Sequence, residues 1–208
     1  MKGYLITFEG IDGSGKSTQA NLIRERLETS GRKAIILREP GGTVIGEKIR
    51  SLLLDNSFAD MQPHTELFLY LAARAQITAS VIVPALNRGE DVIMDRYIDS
   101  TAAYQGYGRG LGIEEMIQLN MTATGGLVPD MTFVIDCDPE KAIGRLTSAP
   151  DRLESEGIEF MKKVREGFLA LHELDAGRIF ICDGNRGIDE IENDIVSILR
   201  DKLKITSL

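Results

Sequence analysis

Apolar positions along this 208-residue chain fall into two alternating kinds of run. Short apolar or β-branched runs occur at Tyr4–Phe8, Lys33–Leu37, Asp91–Met94, Met131–Asp136 and Arg178–Cys182. Their length and the scarcity of polar alternates suit strands covered on both faces. Between them, apolar residues recur three and four apart. That spacing predicts helices over Ser17–Ser30, Val44–Leu54, Pro63–Arg88, Ile98–Tyr107, Ile113–Thr124, Pro139–Leu146, Ile158–Leu174 and Ile188–Leu203. Gly31 and Gly89 stand where helices should stop, and Pro84 should kink the long one. Strands alternating with helices give an α/β fold: a three-layer sandwich with a parallel five-stranded sheet and helices on both faces. No repeat or linker divides the chain, so one domain, 1–208, is expected. The polar stretch Thr147–Gly157 is an ordinary loop or a mobile lid.

The apolar stretch Leu67–Leu86 is interrupted by Arg74, Gln76, Thr78 and Ser80. A central arginine is expensive in a membrane, so a core helix is expected, with its extra apolar face available to another subunit. Composition is that of a globular domain, 43% hydrophobic and 27% charged. A net charge of −8 argues against nucleic-acid and anionic-membrane partners, though one cleft can still be basic. Cys137 and Cys182 lie in strand-like runs without metal-ligand spacing, which suggests reduced buried thiols. The chain enters a strand at once without a leader pattern, so a cytoplasmic location is expected.

The sharpest chemical signal is Gly10-Ile11-Asp12-Gly13-Ser14-Gly15-Lys16-Ser17, with Thr18 behind it. It matches the phosphate-cradling P-loop pattern at a strand-to-helix junction, where a chance glycine turn is a poor explanation. The glycines let backbone N–H groups turn inward, and the helix N terminus adds positive potential. Lys16 should bridge the β- and γ-phosphates, and the Ser17 hydroxyl should ligate Mg²⁺. A GTPase would need a guanine-reading N-K-x-D, and no Asn here precedes Lys. A motor or transporter would need signatures of partner domains. A small-molecule kinase needs a second, cationic pocket.

Candidates for that pocket are present. Asp95-Arg96-Tyr97 ends an apolar strand, where a parallel sheet presents ligand-facing residues. Asp95 can hold hydrated magnesium and Arg96 can fork onto an acceptor phosphate, or the pair is a surface salt bridge. Asp136 is a rival for the metal. Tyr70 and Arg74 share a helix face; Arg74 needs either a buried carboxylate or a ligand carbonyl, with Tyr70 stacked on the ligand ring. Ser100/Tyr104 and Thr101/Gln105 form a neutral hydrogen-bonding patch, either reading a base and sugar or facing solvent.

Together these elements resemble the bacterial-type thymidylate kinases over nearly the whole chain. The matching segments are Phe8–Ser17, Arg38-Glu39-Pro40-Gly41-Gly42-Thr43, Ile49–Leu54, Ala72-Ala73-Arg74, Asp95-Arg96-Tyr97, Ala103-Tyr104-Gln105-Gly106 and Asp151-Arg152-Leu153-Glu154. The resemblance implies that ATP and Mg²⁺ convert dTMP to dTDP, and that two copies pair through the long apolar helix. It implies that Tyr70 stacks on thymine and Arg74 donates to the base carbonyl at position 4. Ser100 and Thr101 would lie near the base edge, and Tyr104 against the sugar 2′ position. Glu39, Pro40, Arg50 and Arg96 would line the sugar and 5′-phosphate, Asp12 would reach the 3′-hydroxyl or the acceptor side, and Leu54 and Gln105 would complete the acceptor set. The P-loop carries no basic residue from Ile11 to Ser14, so a lid at about 145–157 should supply the transition-state charge through Arg145 or Arg152. Kinases of the same fold acting on dUMP, CMP or a nucleoside are the nearest alternative, and a regulatory ATPase a distant one.

Overall fold

The computed structural model describes residues 2–147 and 149–203. Met1 and residues 204–208 of the expected domain, and Ser148 of the expected lid, lie outside the described residues. Five strands, β1 (Leu5–Glu9), β2 (Ala34–Arg38), β3 (Asp91–Asp95), β4 (Met131–Asp136) and β5 (Ile179–Asp183), form one sheet in the order β2-β3-β1-β4-β5. Every pairing is parallel: Leu5 stands opposite Val92, Thr7 opposite Thr132, and Thr132 opposite Ile179. The helices are α1 (Lys16–Thr29), α2 (Val44–Leu54), α3 (Pro63–Ile77), α4 (Val83–Asn87), α5 (Ile98–Thr101), α6 (Ile113–Thr124), α7 (Pro139–Ile143), α8 (Ile158–Leu174) and α9 (Ile188–Leu203).

Side-chain alternation along the strands sorts the two core layers. Ile6 and Phe8 of β1, with Phe133 and Ile135 of β4, pack against Ala20, Ile23 and Leu27 of α1 and Ile191, Ile195 and Leu199 of α9. On the other face Leu5, Val92 and Met94 meet Ile77, Ile82, Ala85 and Leu86. Further along that face, Val134 and Ile179 meet Phe160, Val164, Phe168 and Leu171. Because β1 lies between β3 and β4, the chain order reverses beside it. That switch point opens a crevice beyond the C-terminal strand ends.

The long apolar segment is helical from Pro63 to Asn87, long and apolar enough to cross a membrane. Here Leu67, Leu71, Ile77 and Leu86 are core residues. Its π-helical turn over Thr78–Ile82 precedes Pro84. Widening the coil there accommodates a residue that has no N–H and whose ring crowds the preceding turn. A second π-helical segment, Ala102–Gly108, follows α5, so the expected helix from Ile98 changes winding midway. The helix expected over Pro139–Leu146 stops at Ile143, where Gly144 weakens it and Arg145 and Leu146 continue as turns.

Candidate active site

The loop from Gly10 to Gly15 wraps tightly because glycine permits it. Gly10 and Gly13 have φ of 134° and 79°. A Cβ on Gly13 would lie 2.1 Å from the Ala142 carbonyl oxygen, and one on Gly10 would lie 2.6 Å from that of Ile135. Helix α1 starts directly behind with no acidic residue in its first turn, so its N terminus keeps its positive potential. In front lies a cavity of about 480 Å³ walled by Gly13, Ser14, Gly15, Lys16, Ser17 and Thr18. Gln19, Ile135, Arg145, Gly184, Arg186, Ile188 and Ile191 complete its wall. Gly10 and Ile11 are set behind it, against Ile135, Asp136 and Arg165.

A second cavity, about 150 Å³, opens beyond β2 and β3. Asp12, Glu39, Pro40, Arg50, Leu54, Tyr70, Arg74, Arg96, Ser100, Thr101, Tyr104 and Gln105 all line it. The sequence expected each of these on the acceptor side. Ser100 and Thr101 come from α5, and Tyr104 and Gln105 from the π-helical segment that follows it. Asp151, Leu153 and Glu154 close the cavity from the 145–157 segment.

An ionic chain joins the two cavities. Lys16 Nζ donates to Asp12 Oδ1 at 2.9 Å, and Arg96 Nη2 donates to the same oxygen at 2.8 Å. Burial pushes the Asp12 carboxyl up, but Arg96 and Lys16 outweigh it and hold the group well below the usual carboxylate range. Arg96 also donates to the Tyr104 hydroxyl at 3.1 Å and lies over its ring, 5.0 Å from the centroid. Ser17 Oγ donates to Asp95, so the two residues expected at the metal do meet. Asp136, the rival, is instead clamped by Arg165 through bonds of 2.5 and 2.7 Å.

Residues 8–195 match the family profile described as Thymidylate kinase. The chain is 46% identical to the "Thymidylate kinase" of Pelobacter propionicus, an alignment covering 99% of this chain and 98% of that one. It is 47% identical to the "Thymidylate kinase" of Caldanaerobacter subterraneus subsp. tengcongensis, covering 98% of each. The "Thymidylate kinase" of Sulfurihydrogenibium sp. is also 47% identical, covering 96% of this chain and 98% of that one.

The chain belongs to the thymidylate kinase family.

In this thymidylate kinase family member, Arg74 is 1% exposed and has the buried carboxylate that one of the readings raised for it required. It donates to Glu39 Oε2 through Nε and Nη2, to Thr101 and Asn120 through Nη1, and to the Tyr97 carbonyl through Nη2. Its partner is therefore a buried carboxylate, and it also walls the second cavity beside Tyr70. Burial raises the Glu39 carboxyl against the pull of Arg74. Glu39 Oε1 is buried with no partner among the described residues, an acceptor waiting in the cavity wall.

The expected lid arginines separate. Arg145 is exposed and reaches the Gly13 and Gly184 carbonyls at the phosphate loop. Arg152 is 4% exposed, donating to the Leu53 carbonyl at 2.7 Å and pairing with Glu66 at 2.7 Å. Glu66 also takes Gln105 Nε2 at 2.7 Å and Arg109 Nη2 at 3.0 Å.

Several site residues escaped the reading of the sequence. Gly184, Arg186 and Ile188 follow β5 and wall the cavity in front of the phosphate loop. Their position after a parallel strand was a usable signal. Glu154 and Asp151 were visible only as a family motif, and Glu66 gave no local sign of its role.

Proposed function

We propose that this chain transfers the γ-phosphoryl group of ATP to dTMP, giving ADP and dTDP. The observation that carries this reading is the Lys16–Asp12–Arg96 chain, which joins a P-loop cavity to a second cavity fitted for a planar ring and an anion. Tyr70 stacks on thymine, and Arg74 reads its position-4 carbonyl by sharing an Nη1 hydrogen with Thr101. Ser100, Thr101 and Gln105 border the base, and Tyr104 fills the space a 2′-hydroxyl would need. Glu39, with its free Oε1, and Pro40, Arg50 and Leu54 enclose the sugar.

On binding, Arg96 passes from Asp12 to the acceptor phosphate, and Asp12 accepts the sugar 3′-hydroxyl. Lys16 moves onto the β/γ-phosphates. The acceptor phosphate oxygen is already nucleophilic, so no general base is required. It forms a bond to the γ-phosphorus as the bond from that phosphorus to the β,γ-bridging oxygen breaks, and ADP leaves. The protein's part is alignment and charge neutralisation. The hard oxygens of Ser17 and Asp95 fit Mg²⁺, which prefers few protein ligands plus water and phosphate. That ion would neutralise phosphate charge. Arg145 neutralises the transferred group, and residues 145–157 act as the lid of a single domain. Two copies pair across the outer face of α3. Free, buried Cys137 and Cys182 suit a cytoplasmic enzyme.

A coupled ADP-release assay across dTMP, dUMP, dCMP and CMP tests this. Release should depend on dTMP above the others. Lys16→Ala should stay folded and lose kcat by about two to three orders of magnitude, as for removal of one key oxyanion donor. ATP hydrolysis indifferent to every acceptor would sink the assignment.

A further inference from the structure

Arg96 is the single non-glycine residue with positive φ among the described residues, at 70°. Side chains avoid this region because Cβ crowds the following carbonyl, so something must hold the residue there. Its own N–H donates to the Phe8 carbonyl at 3.0 Å. The next N–H, that of Tyr97, donates to Glu9 Oε1 at 2.7 Å. The other carboxyl oxygen of Glu9 accepts the Ser100 hydroxyl at 2.5 Å, and Ser100 Oγ in turn accepts Arg96 Nη1 at 3.2 Å. The end of β1 thus grips Arg96 three ways: before its Cα, after it, and at the guanidinium.

We propose that Glu9 is a positioning residue for phosphoryl transfer, fixing the backbone and guanidinium of Arg96 where the acceptor phosphate docks. This rests on the reading of Arg96 as the acceptor-phosphate ligand. Glu9 is fully buried at 0% exposure and belongs to neither cavity wall, so it acts through others. Burial, with Asp99 nearby, pushes its carboxyl up to about 7, opposed by Ser100, Arg96 and Tyr97. An ionisable group kept in so unfavourable a place is not there as filler. Both protonation states leave an oxygen for the Tyr97 N–H, and a neutral carboxyl can donate to Ser100. Reach, rather than charge, therefore sets the position.

Two substitutions separate reach from charge. Glu9→Gln keeps the length and an acceptor; Glu9→Asp keeps the carboxylate but withdraws it. Thermal melts establish folding, and steady-state kinetics read KM for each substrate. Glu9→Asp should raise KM for dTMP at least tenfold and leave KM for ATP within about threefold, since a displacement near 1 Å can cost ~10²-fold. Glu9→Gln should stay within about threefold of the parent for both substrates, a result that a need for charge would not give. Glu9→Ala provides a second variant without reach should Glu9→Asp not fold. In an Arg96→Ala background the Glu9→Asp penalty should vanish, because the two act as one unit. Equal rises for both nucleotides, a harmless Glu9→Asp, a Glu9→Gln as damaged as Glu9→Asp, or full additivity with Arg96→Ala would overturn the proposal. An Arg96→Ala enzyme with unchanged KM for dTMP would instead overturn the acceptor-phosphate reading itself.

Discussion

Arg74 directs every N–H of its guanidinium at the protein before any ligand arrives. It therefore ties the segment just after β2, α3, α5 and α6 together while walling the second cavity. Removing it leaves Glu39 buried and uncompensated, which costs roughly 3–5 kcal/mol for a broken buried pair. Arg74→Ala should lower the melting temperature and also raise KM for dTMP by at least about tenfold, with KM for ATP little changed. The two effects can be pulled apart with Glu39→Gln. Neutralising the orphaned carboxylate in the double variant should recover much of the stability and none of the dTMP affinity. If the double variant regains dTMP affinity along with stability, Arg74 is a strut and does not touch the base. A charge in an apolar helix demanded a partner, which the sequence made plain, but Glu39 and Asn120 come from distant segments and left no local mark. Glu9 was hidden for a similar reason, as an acid closing an apolar strand reads as a polar edge until its fold partners are known.

At the level of elements, what was legible was whatever a short window encodes. Strand length, helical spacing and the glycine loop placed the five strands, α1 and the phosphate cradle. Both π-helical segments were missed, because one extra residue per turn barely alters an apolar spacing that is already irregular. The local pattern showed Thr147–Gly157 only as a polar interruption, and the family resemblance alone marked a lid at about 145–157 with Arg145 and Arg152. Its chemistry depends on where it lands: Arg152 on Glu66 and the Leu53 carbonyl, Glu156 on Arg109 at 2.7 Å, Arg145 on the phosphate loop. This division predicts two different kinetic phenotypes. Transition-state arginines are worth about 10³–10⁵ in kcat, so Arg145→Ala should lower kcat by at least ~10² with little change in KM for dTMP. Arg152→Ala should loosen the segment and free Gln105 through Glu66, raising KM for dTMP several-fold while kcat at saturation falls by less than about threefold. A large kcat loss in Arg152→Ala at an unchanged melting temperature would reverse the two roles.

At the scale of the whole molecule, α3 has two faces with different obligations. Arg74 and Leu71 point into the domain, whereas Phe68 is 56% exposed on the same helix. Val44 and Ile45 of the neighbouring α2 are 84% and 54% exposed. Exposed apolar side chains standing singly are ordinary, so these three bear on the proposed pairing only if a partner covers them together. A second copy is the occupant that the proposed function implies, and a C2 contact would bring the same helices together from both sides. Such an interface needs to bury about 1,200–2,000 Å² in total, more than Phe68 alone can supply, so α2 and the flanks of α3 must take part. Phe68→Glu puts a charge at its centre without touching either cavity. In sedimentation equilibrium at micromolar concentration the parent should behave as a dimer and Phe68→Glu as a monomer. Tyr70 and Arg74 ride on this helix, so losing the partner should weaken dTMP binding more than ATP binding. If Phe68→Glu sediments as the parent does, the outer face of α3 is not the contact. If it becomes monomeric with unaltered dTMP affinity, the acceptor pocket is rigid enough without a neighbour.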